Sequence, residues 1–390
     1  MRITNSIEVS KISENQKVII YGAGRYGVLA YYGLKSMHIE PYAFIDSTYE
    51  GKQKLGIDIL SPECLEQYTH DVILIASYNY FLEMYEKAYA AGCENIYDIE
   101  NLLKANYDES VLDEYTLDEK HNLDKYCSVI ENCGKSGIII THLEMVVTEC
   151  CSLKCKDCAN LMQYYEHPCN LLIEDIFEQF DRFLNTIDLL LELRILGGEP
   201  FIVKDLDRVI NKYVNHNKIK RITIYTNSTI VPQKRVLTSL MNNKVSVHMS
   251  NYGIISSKVD ELNNALQERN IKHYIHSYDE WIDIGYPQKN DYSKEQVKSI
   301  FKNCLMAKCF TFYRGKLYVC PRAAHGERIG FYQNYSYEYV DFTEEGSMED
   351  KREKIIKIMQ DLEFVNACYY CKGSSSYSNR ISAAIQKMDK

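Results

Sequence analysis

The sequence has no excess of positive charge and no long apolar run. Lys and Arg number 45 against 54 Asp and Glu, which gives a formal net charge of −9, whereas a nucleic-acid-binding protein normally carries a basic stripe. No apolar stretch approaches the roughly 20 residues that span a bilayer, and the N-terminus lacks the apolar core of a signal peptide. We therefore expect a cytoplasmic protein that binds neither nucleic acid nor membrane.

Low-complexity tracts are absent as well. Hydrophobic residues make up 46% and charged residues 25% of the chain, which is ordinary for globular proteins and excludes a disordered, collagen-like or coiled-coil chain. At roughly 100–200 residues per domain, the 390 residues predict two or three domains.

Cysteine, by contrast, is abundant, with 14 residues. Cytosolic thiols are kept reduced, so clustered cysteines there point to metal ligands or catalytic groups rather than to disulfides.

A glycine motif lies between a predicted strand and a predicted helix near the N-terminus. It contains Gly22, Gly24 and Gly27, and Asp46 ends the next predicted strand. In dinucleotide-binding folds such glycines let the backbone approach a diphosphate, and the acidic residue binds a ribose hydroxyl. We predict a Rossmann-like domain over residues 1–105, which resembles the short domain found in bacterial sugar-modifying and polysaccharide-assembly proteins. It would bind a nucleotide or nucleotide sugar, or serve as a docking domain with an empty site.

Residues 106–138 are acidic and show no clear apolar period. We interpret them as a linker with at most one short helix.

A second series of strands and helices begins near Leu143. Roughly 20–30 residues per repeat is typical of βα units, so we predict an α/β barrel over residues 139–300. The candidate strands are Leu143–Thr148, Leu193–Leu196, Arg221–Tyr225, Val245–Ser250 and Lys272–His276, and the helices between them are Ile173–Leu191, Val203–His216, Gln233–Asn242 and Ser257–Arg269.

Three cysteines follow the first of these strands with the spacing C-x3-C-x2-C. They are Cys151, Cys155 and Cys158. Three thiolates on one loop can reach three corners of an iron–sulfur cube, which leaves one iron free to bind a small molecule. The alternative is a zinc site with a distant fourth ligand, which is less favoured because zinc sites prefer C-x2-C pairs.

This cysteine triplet resembles the signature of the radical S-adenosylmethionine (radical SAM) superfamily, which follows the first strand of a partial (β/α)6 barrel. Asp157 stands where the family usually has an aromatic residue. A second match, Gly197-Gly198-Glu199-Pro200, ends the next predicted strand. The resemblance implies that the triplet holds a 4Fe–4S cluster and that the second motif binds the methionine amino group of S-adenosylmethionine.

Two weaker matches end the third and fourth barrel strands. They are Thr226 with Asn227, and Ser250 with Asn251. The resemblance implies polar contacts to the bound cofactor at these positions, while ordinary polar turns are an equal alternative.

The last segment, residues 301–390, contains a second group of cysteines. It resembles the Twitch form of the SPASM extension, which implies one auxiliary 4Fe–4S cluster. Cys320, Cys368 and Cys371 would be three ligands, and the fourth is Cys304, by family spacing, or Cys309, which would lie across a hairpin from Cys320. Both assignments stay open at this stage, as does a zinc ribbon.

The resemblance implies reductive cleavage of S-adenosylmethionine to a 5′-deoxyadenosyl radical, which abstracts hydrogen from a small-molecule or peptide substrate. The electron donor would be a flavodoxin or ferredoxin. Our first expectation is oxidation or epimerisation of a carbohydrate or nucleotide-sugar-type substrate. Maturation of a ribosomal peptide is the first alternative, and a zinc-bearing nucleotide-sugar-binding or scaffold protein is an alternative of another class.

Overall fold

The computed structural model describes residues 4–8, 10, 12–13, 15–47, 50–121, 123–132, 137–375 and 378–387. It divides into two compact units, residues 1–137 and 138–390. Within the described residues, no helix has both the length and the apolar character that crossing a membrane requires.

The N-terminal unit is built on a seven-stranded sheet in which only the β4–β5 pair is antiparallel. Strands β2 and β6 are buried along their whole length, as expected for central strands of a parallel sheet. The strand order is β1-β7-β6-β2-β3-β5-β4. The strands are β1 Asn5–Ser6, β2 Val18–Tyr21, β3 Ala43–Ile45, β4 Gln53–Lys54, β5 Ile57–Leu60, β6 Val72–Ile75 and β7 Asn95–Asp98, and the helices are α1 Arg25–Ser36, α2 Phe81–Ala90 and α3 Glu100–Leu103.

The interpretation of residues 106–138 as a linker was wrong. Two helices, α4 (Glu114–His121) and α5 (Asp124–Asn132), belong to the N-terminal unit. The hydroxyl of the fully buried Tyr126 donates to the Ile75 carbonyl at 2.6 Å and accepts from the Ile99 N–H at 3.0 Å. The sequence hides α4 because its buried face is polar, formed by Thr116, Glu119 and Lys120.

The C-terminal unit is built on a nine-stranded sheet whose main path is β13-β12-β11-β10-β9-β15-β16-β17. Along this path, the six neighbouring strands β13, β12, β11, β10, β9 and β15 are parallel to one another. The last two, β16 and β17, are each antiparallel to the strand before them. The strands are β8 Ile139–Ile140, β9 Leu143–Thr148, β10 Leu189–Gly197, β11 Ile219–Thr226, β12 Val245–Asn251, β13 His273–Ser277, β14 Glu280–Ile282, β15 Phe310–Tyr313, β16 Lys316–Tyr318, β17 Tyr339–Asp341 and β18 Arg380–Ser382. The helices are α6 Ile173–Thr186, α7 Leu206–Tyr213, α8 Lys234–Ser239, α9 Val259–Gln267, α10 Lys294–Lys302, α11 Pro321–Arg328 and α12 Met348–Gln360.

The five predicted barrel strands all exist, and β9 has the predicted bounds. Helix α6 ends at Thr186, before the predicted Leu191, because Leu189–Leu191 already opens strand β10. A short apolar run of this kind fits a buried strand as well as the end of a buried helix.

The predicted boundary at residue 300 does not interrupt the sheet. Strand β15 pairs with β9, so the C-terminal extension continues the barrel sheet directly. The predicted hairpin turn is confirmed: Tyr313 pairs with Lys316, and both Arg314 (φ 47°) and Gly315 (φ 73°) have positive φ. This is the pattern of a type I′ turn, whose twist matches that of the flanking strands.

Candidate active site at the carboxyl ends of the barrel strands

A cavity of about 1110 Å³ opens where the central parallel strands end. This is the end at which barrel enzymes place their chemistry. The cavity brings together predicted site residues from four separate strand ends, namely Cys151, Cys155, Cys158, Gly197, Gly198, Asn227 and Ser250.

Gly197, the last residue of β10, and Gly198, which follows it, allow this strand end to pack against the cysteine loop. A Cβ atom on Gly198 would lie 2.1 Å from the Cys150 carbonyl oxygen, and one on Gly197 would lie 2.2 Å from that of Thr148. The Gly198 N–H donates to the Thr148 carbonyl at 3.0 Å. Glycine is therefore required at both positions by close approach of the two backbones.

Glu199 joins the ends of two strands from behind the cavity wall. Its fully buried carboxylate accepts hydrogen bonds from the Phe201 N–H (3.1 Å), the Thr226 hydroxyl (2.8 Å) and the Asn227 N–H (2.8 Å). Burial raises the pKa of Glu199 to about 7, against the opposing effect of these donors. Pro200 begins the short 3-10 turn Pro200–Ile202. A direct contact of Glu199 with a methionine amino group stays a prediction, and the structure adds a positioning role.

The thiols of the triplet are buried and receive N–H donors. Leu153 N–H approaches the Cys151 sulfur at 3.4 Å, and the Gln386 side-chain amide approaches the Cys155 sulfur at 3.3 Å. Burial raises the pKa of Cys151 to about 12 and that of Cys155 to about 11. A bound cation would reverse this, because coordination deprotonates a thiol.

These residues fit an iron–sulfur cluster. N–H donors aimed at sulfur are among the groups that stabilise and tune such clusters. Among the described residues, no group of three or more His, Cys, Asp and Glu side chains converges closely enough to bind a single metal ion. Ligands of a cluster bind separate irons and need not converge on one point.

The weaker motif residues occupy different places. Asn227 lies on the cavity wall, where its amide donates to Ser152 at 3.1 Å and to the Cys151 sulfur at 3.6 Å. Ser250 also lines the cavity. Thr226 instead braces Glu199, as described above, and the Asn251 amide donates to the Ser277 hydroxyl at 3.2 Å.

An aromatic wall, which sequence analysis missed, forms the side of the cavity near β13 and β14. It consists of Tyr252, His276, Tyr278 and Trp281. The His276 and Tyr278 rings lie 4.2 Å apart, and Tyr252 meets Trp281 edge-on at 5.5 Å. Flat rings of this kind can stack on a base or on the apolar face of a sugar. With 33 tyrosines in the chain, composition gave no signal that singled out these two.

The barrel interior below the cavity is polar. Arg194 forms two hydrogen bonds of 3.0 Å with Glu192 and lies 5.6 Å from the centre of the Tyr225 ring. Tyr225 stacks on His248 at 4.7 Å. His248 lies within hydrogen-bonding distance of the Tyr278 hydroxyl at 3.2 Å, so the polar interior connects to the aromatic wall.

Cys309 belongs to this interior. Its thiol donates to the carboxylate of Glu144 at 3.4 Å, and the Thr311 hydroxyl donates to the same carboxylate at 3.3 Å. Burial is the main cause of the raised pKa of both Glu144 and Cys309.

The other four C-terminal cysteines lie close together. Burial, together with the neighbouring thiols of Cys304 and Cys371, raises the pKa of Cys320 to about 12. Cys368 is affected by the same three sulfurs. Backbone N–H groups approach three of the sulfurs at 3.3–3.4 Å, those of Ser374 to Cys304, Ala323 to Cys320 and Gly373 to Cys371.

In the N-terminal unit, two glycines of the motif pack directly against backbone carbonyl groups. A Cβ atom on Gly22 (φ +111°) would lie 2.7 Å from the Ala76 carbonyl oxygen, and one on Gly27 would lie 2.1 Å from that of Gly22. A Cβ atom on Gly24 would meet nothing within 4 Å. Close packing therefore explains the first and third glycines, and Gly24 has space beside it.

Asp46 fixes the same turn. Its carboxylate accepts from the Ala23 N–H at 2.9 Å, while the Lys54 ammonium donates to the Ala23 carbonyl at 2.6 Å. A contact of Asp46 with a ribose, and nucleotide binding at this turn, stay predictions.

Comparison with known proteins matches two segments of the chain to family models. Residues 145–284 match the family model of the radical SAM superfamily, and residues 14–116 match the family described as C2185-like, N-terminal. The GTP 3′,8-cyclase of Clostridium botulinum is 28% identical over 155 residues, which is 39% of this chain and 46% of the relative. The same enzyme from Helicobacter pylori is 26% identical over 155 residues, with the same shares.

Residues 145–284 thus form a radical SAM domain. The chain spans about half the length of the curated relatives, at 46%. Among solved structures, anSMEcpe with bound AdoMet is 16% identical, with a TM-score of 0.40, over 61% of this chain and 92% of that one.

Proposed function

We propose that this enzyme uses S-adenosylmethionine to abstract hydrogen from a carbohydrate or nucleotide-sugar-type substrate, which it oxidises or epimerises. The observation that carries the proposal is the polar barrel interior, which connects through His248 and Tyr278 to the cavity of the cysteine triplet.

The triplet would hold the cluster, and the cavity beside it would hold S-adenosylmethionine. When bound, these cofactors supply reductive cleavage of the sulfonium and a 5′-deoxyadenosyl radical. The protein supplies orientation and excludes water. Glu199 holds the ends of β10 and β11 in register, Asn227 offers an amide at the cavity wall, and the aromatic wall can stack on the adenine.

The barrel interior suits a substrate rich in hydroxyl groups. Barrel interiors are commonly filled by branched apolar side chains, and burying polar groups costs free energy unless each finds a partner. Here Glu144, Glu192, Arg194 and His248 line the interior instead. Two carboxylates beside one guanidinium disfavour phosphate groups at this depth, so a nucleotide sugar would present its sugar to this site.

Cys304, Cys320, Cys368 and Cys371 would hold an auxiliary 4Fe–4S cluster. The effect of these thiols on one another's pKa supports this ligand set. Cys320 also raises the pKa of Cys309, but the hydrogen bond of Cys309 to Glu144 argues against Cys309 as the fourth ligand. When bound there, the cluster supplies an electron acceptor, which suits a net two-electron oxidation.

The first test is made on protein purified without oxygen and reconstituted with iron and sulfide. We expect about eight irons per chain, four for each 4Fe–4S cluster, and 5′-deoxyadenosine after addition of dithionite and S-adenosylmethionine. About four irons with product would remove the auxiliary cluster from the proposal, and no product would contradict it altogether.

Two matched variants test the auxiliary ligands. Cys304→Ala should lose about four irons per chain, the content of one 4Fe–4S cluster, whereas Cys309→Ala should keep the wild-type iron content. The reverse result would show that Cys309 is the ligand.

The substrate class is tested with carbon-deuterated candidates. Deuterium from a sugar or nucleotide sugar should appear in 5′-deoxyadenosine by mass spectrometry. Transfer from a peptide or from GTP, and none from sugars, would refute the carbohydrate assignment while leaving the radical chemistry intact.

A further inference from the structure

The segment 380–387 lies along the loop that carries the cysteine triplet. Its first residues form β18, which pairs antiparallel with β14. Further along, the Lys156 N–H donates to the Ile385 carbonyl at 2.7 Å, and the Lys387 N–H donates to the Lys154 carbonyl at 2.7 Å. These backbone bonds flank Cys155, the central cysteine of the triplet, and place Gln386 opposite it.

The side chain of Gln386 is oriented by three hydrogen bonds. Its carbonyl oxygen accepts from the Lys154 N–H at 2.8 Å, and its amide nitrogen donates to the Ala384 carbonyl at 2.7 Å and to the Cys155 sulfur at 3.3 Å. Exchanging the oxygen and nitrogen would set a donor against the Lys154 N–H and an acceptor against the Ala384 carbonyl. The N–H group must therefore face the sulfur.

The bend before Gln386 also serves this contact. Ala384 is fully buried and has a φ of +52°, a conformation that residues other than glycine adopt infrequently. Its carbonyl is the one that accepts from the Gln386 amide. The backbone turn and the side-chain orientation thus support one another.

We propose that Gln386 is a positioning residue for the cluster of the radical SAM site, where its hydrogen bond to Cys155 sets the reduction potential and shields the cluster from solvent. The proposal rests on the assignment of the triplet as cluster ligands in the proposed function. Hydrogen bonds to sulfur and solvent exposure are two of the factors that set cluster potentials. An N–H donor stabilises the added negative charge of the reduced form, and hydrogen bonds to ionised acceptors are the stronger ones.

Gln163 provides a matched control. Its side-chain amide donates to the Lys156 carbonyl at 2.8 Å. This bond also reaches the cysteine loop, but its acceptor is a backbone oxygen rather than a sulfur. Gln386→Leu removes two side-chain hydrogen bonds to the loop, those with the Lys154 N–H and the Cys155 sulfur, whereas Gln163→Leu removes the one to the Lys156 carbonyl. Gln386→Glu keeps an acceptor for the Lys154 N–H, so it isolates the loss of the donor to the ligand sulfur.

The experiment is an electron paramagnetic resonance redox titration of reconstituted full-length protein. The signal followed is the one that changes when S-adenosylmethionine is added, since this marks the cluster with an open iron. We expect the midpoint potential to shift downward in Gln386→Leu and in Gln386→Glu, and to stay at the wild-type value in Gln163→Leu. An unshifted potential in Gln386→Leu with wild-type iron content would overturn the proposal.

Loss of iron to a chelator provides the second readout. We expect both Gln386 variants to lose iron faster than wild type or Gln163→Leu. This readout remains usable when a Gln386 variant retains too little cluster for the redox titration. Equal loss from the Gln386 and Gln163 variants would mean that the loop merely needs its hydrogen bonds, and would overturn the proposal.

The cluster assignment fails separately. If the variant with Cys151, Cys155 and Cys158 all changed to Ala keeps the wild-type iron content, the triplet does not hold a cluster. If the triple variant loses about four irons and the Gln386 variants nevertheless behave like wild type, only the role of Gln386 is refuted.

Discussion

Replacing Glu199 with glutamine should change the pH dependence of stability in a calculable way. The pKa of Glu199 rises from an ordinary 4.5 to about 7 in the folded protein, because burial disfavours the carboxylate. Because its pKa is raised in the folded state, this carboxyl group contributes its full stability below its ordinary pKa of 4.5. The contribution is lost as the pH rises through the folded pKa of about 7. With about 1.4 kcal/mol per pKa unit, this carboxyl group should lower the unfolding free energy by about 2 kcal/mol between about pH 5.5 and pH 8.

The assay is urea unfolding of the protein without S-adenosylmethionine, followed by tryptophan fluorescence. Trp281 is the single tryptophan of the chain and lies on the cavity wall in the same unit as Glu199. Glu199→Gln should remove about 2 kcal/mol of the pH dependence. Glu338→Gln is the control, since burial also raises the pKa of Glu338 to about 7 at a different position in that unit.

The two variants should each remove their own part of the pH dependence, because carboxyl groups without shared partners act additively. If Glu199→Gln follows the wild-type pH profile, the carboxyl group is ionised throughout this range, and the argument from burial is refuted. A fall in stability that is the same at both pH values would indicate lost hydrogen bonds only.

Two further predictions concern the loop packing and the boundary of the units. Gly198→Ala should reduce iron content and destabilise the C-terminal unit by about 1–3 kcal/mol, as overpacking commonly does, because its Cβ would lie 2.1 Å from the Cys150 carbonyl oxygen; Gly346→Ala, at an exposed position with room for a Cβ, should keep wild-type iron. Deleting residues 1–137 should leave the iron content of the C-terminal unit intact, whereas deleting residues 1–104 leaves two helices without their sheet and should give aggregated protein on size-exclusion chromatography; a soluble product of the shorter deletion would contradict the placement of the boundary.

The sequence predicted the centre of the site well because its signals are local. Cys151, Cys155 and Cys158 lie within eight residues of one another, and a motif at a strand end carries its structural context with it. Asn227 and Ser250 were singled out by the family resemblance, at the ends of the next two strands. Each of these residues lines the cavity.

The first feature that could not be predicted from the sequence is the direction of the Cys304 and Cys309 side chains. Cys304 and Cys309 are five residues apart, and both fit a ligand pattern. Strand β15 begins at Phe310, so Cys309 lies just before it and reaches Glu144 on the neighbouring strand. Spacing alone leaves both cysteines open, because it does not give the direction of the side chain that the hydrogen bond of Cys309 to Glu144 shows. The fourth ligand stays a prediction.

Polar packing was the second. Helix α4 buries Glu119 and Lys120 in place of an apolar stripe, and an apolar stripe is the main signal of a surface helix. Gln386 was missed for a different reason: it contacts Cys155 across 231 residues of sequence, and no local pattern marks such a contact.

That separation also has a consequence for the timing of assembly in the cell. At a synthesis rate of about 5–20 residues per second, Gln386 is synthesised roughly 10–50 s after Cys155, since the two are 231 positions apart. During this interval the cysteine loop lacks the cover that the C-terminal segment gives it in the complete chain. The C-terminal segment can close over the loop only afterwards, so the order of synthesis itself leaves time for the cluster to be inserted before its surroundings are complete.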